Sequence, residues 1–451
     1  MGKQRKVRPG KKNDVANLLT WMMILGPFLG GMEGNAWVFL STVLLLLALG
    51  MKLYRNRNLK FFGGKVLLLG VMMLFCGIGT CFWGISGGEA FFGVLRIGAV
   101  LLYGILLMQY DRKDRRKIFL LIPDVGVLML LISALIYTIP DFRSYVSNGY
   151  GRMCGFFRYA NAFALFMLLG LVIFTRERLT DSSRKSLNSP SKHKWLRWYG
   201  YFYPVILLAG IFWSGSRIVF VLTVLSISVM IMQNKRIRLP FLGILAAGLL
   251  ASAGFVFFTG NTDTVGRIFT IFANSSTFAG RLLYLSDGAK LLIKHPLGLG
   301  YCGFFLIQPY EQTGYYVVKY VHNEWMQMAL DYGIIAGICF ILFMIFCIKN
   351  SRGTERFVAV LITAHIFFDF DLQFLVFVWI LFLCVDPKQS KTFILDQKEI
   401  SGKSIFPWFC VSFSVIIVVY LWVGISELLT SRGAFASAHR MFPWSVITEE
   451  L

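Results

Sequence analysis

Charge is what this chain has least of. Of its 451 residues only 15% are charged, and Asp and Glu together number 23. A water-soluble protein of this size carries about 25% charged residues to cover its surface, so this chain is not built for water on all sides. Cysteine offers no chemistry. The eight cysteines are scattered and no two form a CxxC pair, which removes zinc-ribbon and thioredoxin-type readings. Cys76, Cys81, Cys339, Cys347, Cys384 and Cys410 lie in or beside apolar runs and read as small buried side chains. A Walker loop, a dinucleotide fingerprint, an EF-hand and a zincin motif are all missing. Neither a cofactor nor a metal is therefore expected.

Apolar residues are abundant: 57% are hydrophobic, and mean hydropathy is +0.66. They come in long runs rather than in alternation. Lipid offers no partner to backbone amides, so such runs must form helices or a closed barrel, and these are too long and uniform for barrel strands. The expected fold class is an all-α polytopic membrane protein. Its candidate spans are 15–31, 36–51, 61–82, 90–110, 118–139, 153–174, 199–213, 216–232, 240–259, 332–348, 357–369, 372–385 and 405–425. That is about 13 spans, within a range of about 12–14, although several fall short of the roughly 20 residues that cross a bilayer. The pairs flanking Ser214–Arg217 and Asp369–Asp371 read as broken or tilted helices. A basic run precedes the first span and no cleavage site follows, so that span reads as retained.

The formal charge of +22 raises nucleic acid as a partner, but its distribution argues against it. Most Lys and Arg fall in 1–14, 52–60, 111–117, 175–198, 233–238, 349–356 and 386–404, on every second inter-span segment. This is the positive-inside pattern, with anionic lipid as the partner. It predicts a cytoplasmic N-terminus, an extracytoplasmic C-terminus, and a long extracytoplasmic loop at 260–331. Residues 1–425 then form one integral domain that includes this loop, and 426–451 form a short extracytoplasmic tail with an amphipathic helix over Ser426–Arg440. Within the loop, Arg281–Lys294 reads as an amphipathic helix lying on the membrane. Leu282, Leu285, Ala289 and Leu292 would face lipid, and Asp287, Lys290 and Lys294 would face water. Pro296, Gly298, Gly300 and Gly303 end it and permit sharp turns.

Loops on a rigid scaffold commonly carry chemistry. Arg217, after Trp213-Ser214-Gly215-Ser216, sits on the outer side against the charge rule. It is either a snorkelling helix-end arginine or a fork for phosphate. Arg281 opens the loop helix, where the macrodipole disfavours a cation; an anionic ligand or a plain surface position fits equally. Arg267 follows Asp263 by four residues, so a local pair would also explain it. His322 lies in Val321-His322-Asn323-Glu324-Trp325, and an imidazole can take a hydroxyl proton near neutral pH. Glu324 either orients it or caps a helix. Arg158 and Asn161 lie near the outer end of the sixth span, where Asn161 can bridge helices. His365, Asp369 and Asp371 form a pocket floor or, in a transporter, an ion path. His295 reads as local structure.

The order Gly151-Arg152, Gly155, Asn161-Ala162, then Ser214-Gly215-Ser216-Arg217, Phe278-Ala279-Gly280-Arg281, His295-Pro296-Leu297-Gly298-Leu299-Gly300-Tyr301 and His322-Asn323-Glu324 resembles the O-antigen ligase and Wzy-type polysaccharide polymerase superfamily. The resemblance covers most of the chain and is strongest over 200–348. It implies a metal-independent, inverting glycosyltransferase of the bacterial cytoplasmic membrane. Such enzymes move a glycan from an undecaprenyl-pyrophosphate carrier to an acceptor hydroxyl outside that membrane. By motif, Arg217 and Arg281 correspond to the arginines that hold pyrophosphate, and His322 to the general base. Arg267 has a looser counterpart, and Arg152 with Asn161 matches a motif of structural or substrate-binding role. Related ligases often have both termini inside, from which this chain departs.

Arg217, Arg281 and His322 should then converge on one cavity, with Asp369 at its floor and apolar walls below. The acceptor walls would come from the stretch Tyr301–Tyr320, whose tyrosine rings suit sugar faces. The favoured activity is polymerisation of a surface polysaccharide. The alternatives are ligase-like transfer to a lipid, protein or wall acceptor, and a lipid-linked glycan flippase. A flippase would carry cations deep in a central cavity, whereas Arg96, Arg158 and Lys65 are the span cations here.

Overall fold

The computed structural model describes residues 14–56, 58–61, 63–179, 195–233, 276–385, 391–394 and 406–445, with isolated positions between 243 and 257. Nearly all of this is helix, as apolar runs require where the backbone must bond to itself. The helices through the first half are α1 (Asp14–Leu25), α2 (Asn35–Asn56), α3 (Gly64–Trp83), α4 (Gly87–Met108), α5 (Arg112–Phe119), α6 (Ile122–Tyr137) and α7 (Ala160–Phe174). After them come α8 (Trp195–Ser214), α9 (Arg217–Gln233), α10 (Ser276–Lys294), α11 (Gly303–Glu311) and α12 (Glu324–Tyr332). The last are α13 (Ile334–Lys349), α14 (Gly353–His365), α15 (Leu375–Cys384), α16 (Phe406–Ser431) and α17 (Phe435–Met441). A short antiparallel ribbon joins β1 (Asn58–Phe61) to β2 (Lys391–Ile394), with Asn58 opposite Ile394.

Among the described residues, 6 helical segments are long and apolar enough to cross a membrane: Asn35–Arg55, Gly64–Trp83, Gly87–Met108, Arg112–Tyr137, Ala160–Glu177 and Cys410–Ser431. The chain is a multi-pass membrane protein. The expectation of about 13 spans is overturned, because the other described apolar runs form shorter helices. These are Asn17–Phe28, Phe202–Ser214, Arg217–Gln233, Ile334–Lys349 and Leu375–Cys384. The run 240–259 lies largely outside the described residues. The physical reason is clearest in α15, whose 10 residues rise about 15 Å, half of a hydrocarbon core. All ten are buried against protein. An apolar run reports an apolar surrounding, and here that surrounding is often another helix. Backbone turns break other runs: the first apolar run ends in two single 3-10 turns, Gly26–Phe28 and Gly30–Met32, and Gly215 (φ 59°) separates α8 from α9.

α7 is the central post. Every residue from Ala162 to Phe174 is buried, and α6, α8, α9 and α14 pack around it. The loop helix α10 does not lie flat with its charges outward. Asp287 points inward, 1% exposed, while Leu282 on the opposite side is 52% exposed. The Asp287 carboxylate accepts from the Thr313 amide (2.9 Å), the Thr313 hydroxyl (2.7 Å), the Tyr316 hydroxyl (3.0 Å) and Lys290 (3.3 Å). A charged acceptor with several donors outweighs the amphipathic pattern. The tail also differs from the single helix expected over Ser426–Arg440. It breaks at Gly433 (φ 75°) between α16 and α17. It then folds back, with the Ser445 hydroxyl donating to Glu89 Oε1 (2.6 Å) and Phe442 stacked on Phe91.

A strap at 296–300 fastens the loop to the junction of α12 and α13. Leu299 N donates to Leu330 O (2.7 Å), Gly300 N to Asp331 O (3.0 Å) and Ile334 N to Pro296 O (3.0 Å). Gly298 (φ 95°) makes the close crossing, and a Cβ there would stand 2.6 Å from the Gly333 amide nitrogen. Gly298→Ala should therefore destabilise the protein by about 1–3 kcal/mol, read as a lower Tm in detergent. Gly64→Ala, with nothing within 4 Å of its added carbon, should leave Tm unchanged. Equal Tm values for the two variants would contradict the strap.

Candidate functional site

The site is built on the turn between α14 and α15. Asp369 lies there with its side chain 1% exposed, and its Oδ1 also accepts from the next amide, Phe370 N, at 3.1 Å. Two further turns deliver side chains to it through left-handed backbone, a conformation uncommon outside glycine. Arg158 (φ 56°) follows the 3-10 turn Gly155–Phe157 and sends Tyr159 into extended geometry at the start of α7. His322 (φ 57°) precedes Asn323, whose side chain caps α12 by accepting from Met326 N.

Four side chains converge on Asp369. The Tyr159 hydroxyl donates to Oδ1 (2.7 Å) and the Asn161 amide to Oδ2 (2.6 Å). An Arg281 guanidinium nitrogen stands 3.3 Å from Oδ2, and His322 Nδ1 stands 3.2 Å from Oδ1. Burial pushes the carboxyl's pKa up, but the Arg281 charge and the His322 hydrogen bond outweigh it and hold Asp369 well below the usual carboxylate range. An ionised carboxylate accepts only. It therefore selects the His322 tautomer with the proton on Nδ1, which leaves the lone pair on Nε2. The His322 side chain is 19% exposed, so this ring is not sealed away.

Arg152 forms an outer brace. Its Nε donates to Ser214 O (2.6 Å) and a terminal nitrogen donates to Asn161 Oδ1 (2.9 Å). Through that brace the Ser214–Ser216 turn, and Arg217 at the first position of α9, are tied to the Asp369 cluster. Arg217 is half-buried there. Arg281 Nε is buried and has no hydrogen-bond partner among the described residues, an unspent donor of the kind an anion would take. An aromatic layer backs the cluster, with the Phe370 ring centroid 4.8 Å from Tyr159, 4.7 Å from Tyr320 and 5.0 Å from His322.

His322, Arg281, Asp369, Asn161 and Arg152 are thus brought into one network. Arg267 lies outside the described residues. Glu324 turns away from His322, and Asp369 is the group that contacts the imidazole. One Glu324 oxygen accepts from Gln373 Nε2 (2.7 Å), and the other is buried without a hydrogen-bond partner among the described residues. Burial pushes its pKa up to about 8, which favours the neutral acid. It stands with Arg96 and Gln373 on the wall of an otherwise apolar cavity of about 910 Å³ between α3, α4, α13 and α15. The tyrosines expected to wall an acceptor site divide differently. Tyr301, Tyr316 and Tyr320 are buried, and Tyr310 and Tyr315 are fully exposed. His365 and Asp371, both wholly buried, pair with each other behind the cluster.

Tyr159 was missed. It stands two residues before Asn161, inside a motif already singled out, but a tyrosine at a span end reads as an interfacial anchor. Only the three-dimensional meeting of residues 159, 281, 322 and 369 assigns it. Among the described residues no group of three or more His, Cys, Asp or Glu side chains is placed to hold a metal ion.

No curated protein matches the chain. Residues 202–341 match the family model described as O-antigen ligase. That segment contains Arg217, Arg281 and His322, and the match supports a general ligase-like transfer function. Residues 202–341 thus carry a domain of the O-antigen ligase family, which supports the resemblance to the O-antigen ligase and Wzy-type polymerase superfamily.

Proposed function

We propose that the protein transfers a glycan from a polyprenyl-pyrophosphate carrier to a hydroxyl of an envelope acceptor, in the manner of an O-antigen ligase. The observation that carries this reading is the His322–Asp369–Arg281 contact. One buried carboxylate orients an imidazole through Oδ1 and meets a cation with an unspent donor through Oδ2. Base and anion-binding group are thereby held side by side.

The chemistry follows from that pairing. The acceptor hydroxyl oxygen attacks the anomeric carbon while its proton passes to His322 Nε2. The bond from that carbon to the carrier's phosphate oxygen breaks, and the electron pair leaves with the pyrophosphate. Arg281 and Arg217 neutralise the charge that develops there, so no general acid is needed. A single displacement inverts the anomeric centre. Asp369 stabilises the imidazolium formed, as a carboxylate does in other orienter–base pairs. The 910 Å³ cavity, two residues from His322 at Glu324, has the apolar walls that an isoprenoid chain requires.

Topology supports an extracytoplasmic placement of this site. Arg112, Arg115, Arg116 and Arg352 gather at the C-terminal end of α15, the end away from the Asp369 turn, and basic segments stay inside. The lean toward a polymerase gives way to ligase-like transfer. The matching family is described as O-antigen ligase.

Three outcomes follow, each measured with purified protein, lipid-linked donor and acceptor. His322→Asn preserves the left-handed backbone, which Asn tolerates, while removing the imidazole. Transfer should fall by about 10²–10⁴-fold with donor binding retained, and near-wild-type transfer would remove His322 as the base. Arg281→Gln should weaken donor binding and transfer together; a loss confined to acceptor affinity would contradict its role. Supplying one defined lipid-linked repeat alone should give no ladder, with transfer appearing only when a separate acceptor is added. Growth of a ladder on the carrier would restore the polymerase.

A further inference from the structure

A second hollow among the described residues is distinct from the site itself. It is a groove of about 1370 Å³, open to solvent, between the turns at 26–34, the start of α2, the end of α6 and the α6–α7 connection. Trp37, Phe142, Tyr145 and Phe156 supply its aromatic surface, and Glu33 and Arg158 its charges. Trp37 is 42% exposed, and Phe142 and Tyr145 are each 52% exposed. Gly30 (φ 69°) also lines it, with open space where a Cβ would stand.

Two routes join this groove to the cluster. Arg158 is the left-handed residue immediately before Tyr159, and its guanidinium lies 5.7 Å from the Tyr145 ring centroid. Glu33 Oε1 accepts from Lys319 (3.1 Å) and from the Tyr320 hydroxyl (3.3 Å). Tyr320 in turn packs on Phe370, the ring that backs His322. Along this second route two rings, Tyr320 and Phe370, separate the groove from the base.

The wall chemistry discriminates between occupants. Aromatic planes with polar edges suit the C–H faces of sugar rings. A carboxylate that accepts and a guanidinium that donates on the same wall suit sugar hydroxyls, which can do both. A hydrocarbon chain would leave both charges facing apolar matter at a cost, and Glu33 would repel a pyrophosphate. A strained non-glycine backbone at Arg158 is itself a mark of a functional constraint.

We propose that this groove is the acceptor-glycan subsite, in which Trp37 and Tyr145 stack an uncharged sugar ring and Glu33 and Arg158 bind its hydroxyls. The proposal rests on the glycan-transfer reading above and gives that site its acceptor class. It also assigns the left-handed turn at Arg158 a double task. The turn aims Tyr159 at Asp369 and Arg158 at the acceptor.

The test uses the full chain in lipid nanodiscs and two variants, Trp37→Ala and Arg158→Asn, both checked for wild-type Tm. Steady-state transfer with the lipid-linked donor should show acceptor KM raised about tenfold, the size of one lost aromatic contact, with donor KM unchanged. A rise in donor KM instead would make the groove a carrier site, and no change in either would remove it from substrate binding. A second arm needs no activity. The glycan portion of the acceptor used in the transfer assay, freed of its lipid or other carrier, is titrated by calorimetry. Binding to wild type that is lost in both variants supports the groove. Equal binding by all three proteins, or none by wild type, overturns it. A wild type that binds this glycan but transfers nothing would count against the transfer reading alone.

Discussion

A carboxylate buried inside a membrane protein has to be paid for, and Asp369 is where this molecule does so. Removing an ion from water costs several kcal/mol unless charge and hydrogen bonds replace its hydration. Here Tyr159, Asn161, Arg281 and His322 replace it, with the Phe370 amide as a fifth donor. These groups come from four stretches of chain, Tyr159 standing 210 positions from Asp369. Satisfying one carboxylate thereby fixes the start of α7, the loop helix α10, the turn before α12 and the α14–α15 turn relative to one another. The left-handed residues Arg158 and His322 are local strain that this convergence over-determines.

The rest of the loop keeps that convergence in register. Asp287 binds the 313–316 segment to α10, and the strap at 296–300 binds the end of α10 to the α12–α13 junction. Both devices act on the stretch between Arg281 and His322. A transfer enzyme gains from such fastening, because a base and an anion-binding group help only when held within about 0.5 Å of productive geometry. In the proposed reading, the apolar cavity beside Glu324 would serve the donor's lipid and the aromatic groove beside Arg158 the acceptor.

Much of this was legible in the sequence, and the limits have physical causes. Helical class followed from backbone hydrogen bonding in lipid, and Arg281, His322, Asn161 and Arg152 stood out by residue type and position. The span count was not legible, because apolar composition is the same whether a helix faces lipid or, like α15, faces only protein. Asp287 misled because the face of an amphipathic helix is read by polarity, and a carboxylate with enough donors can be the buried side. Glu324 lies nearer to His322 in sequence than Asp369, but the capped first turn of α12 points it the other way. The orienting partner had to come from 47 positions further along the chain, a distance that no local motif encodes.

The central claim is that an ionised Asp369 fixes His322 with its proton on Nδ1 and its lone pair on Nε2. Nitrogen NMR of protein carrying ¹⁵N-labelled histidine, with His322 assigned by comparison with the His322→Asn variant, reads this directly. The account predicts a protonated-type resonance for Nδ1 and an unprotonated-type resonance for Nε2 near neutral pH, and loss of that preference in Asp369→Asn. The opposite tautomer, or a His322 spectrum indifferent to Asp369→Asn, would contradict it.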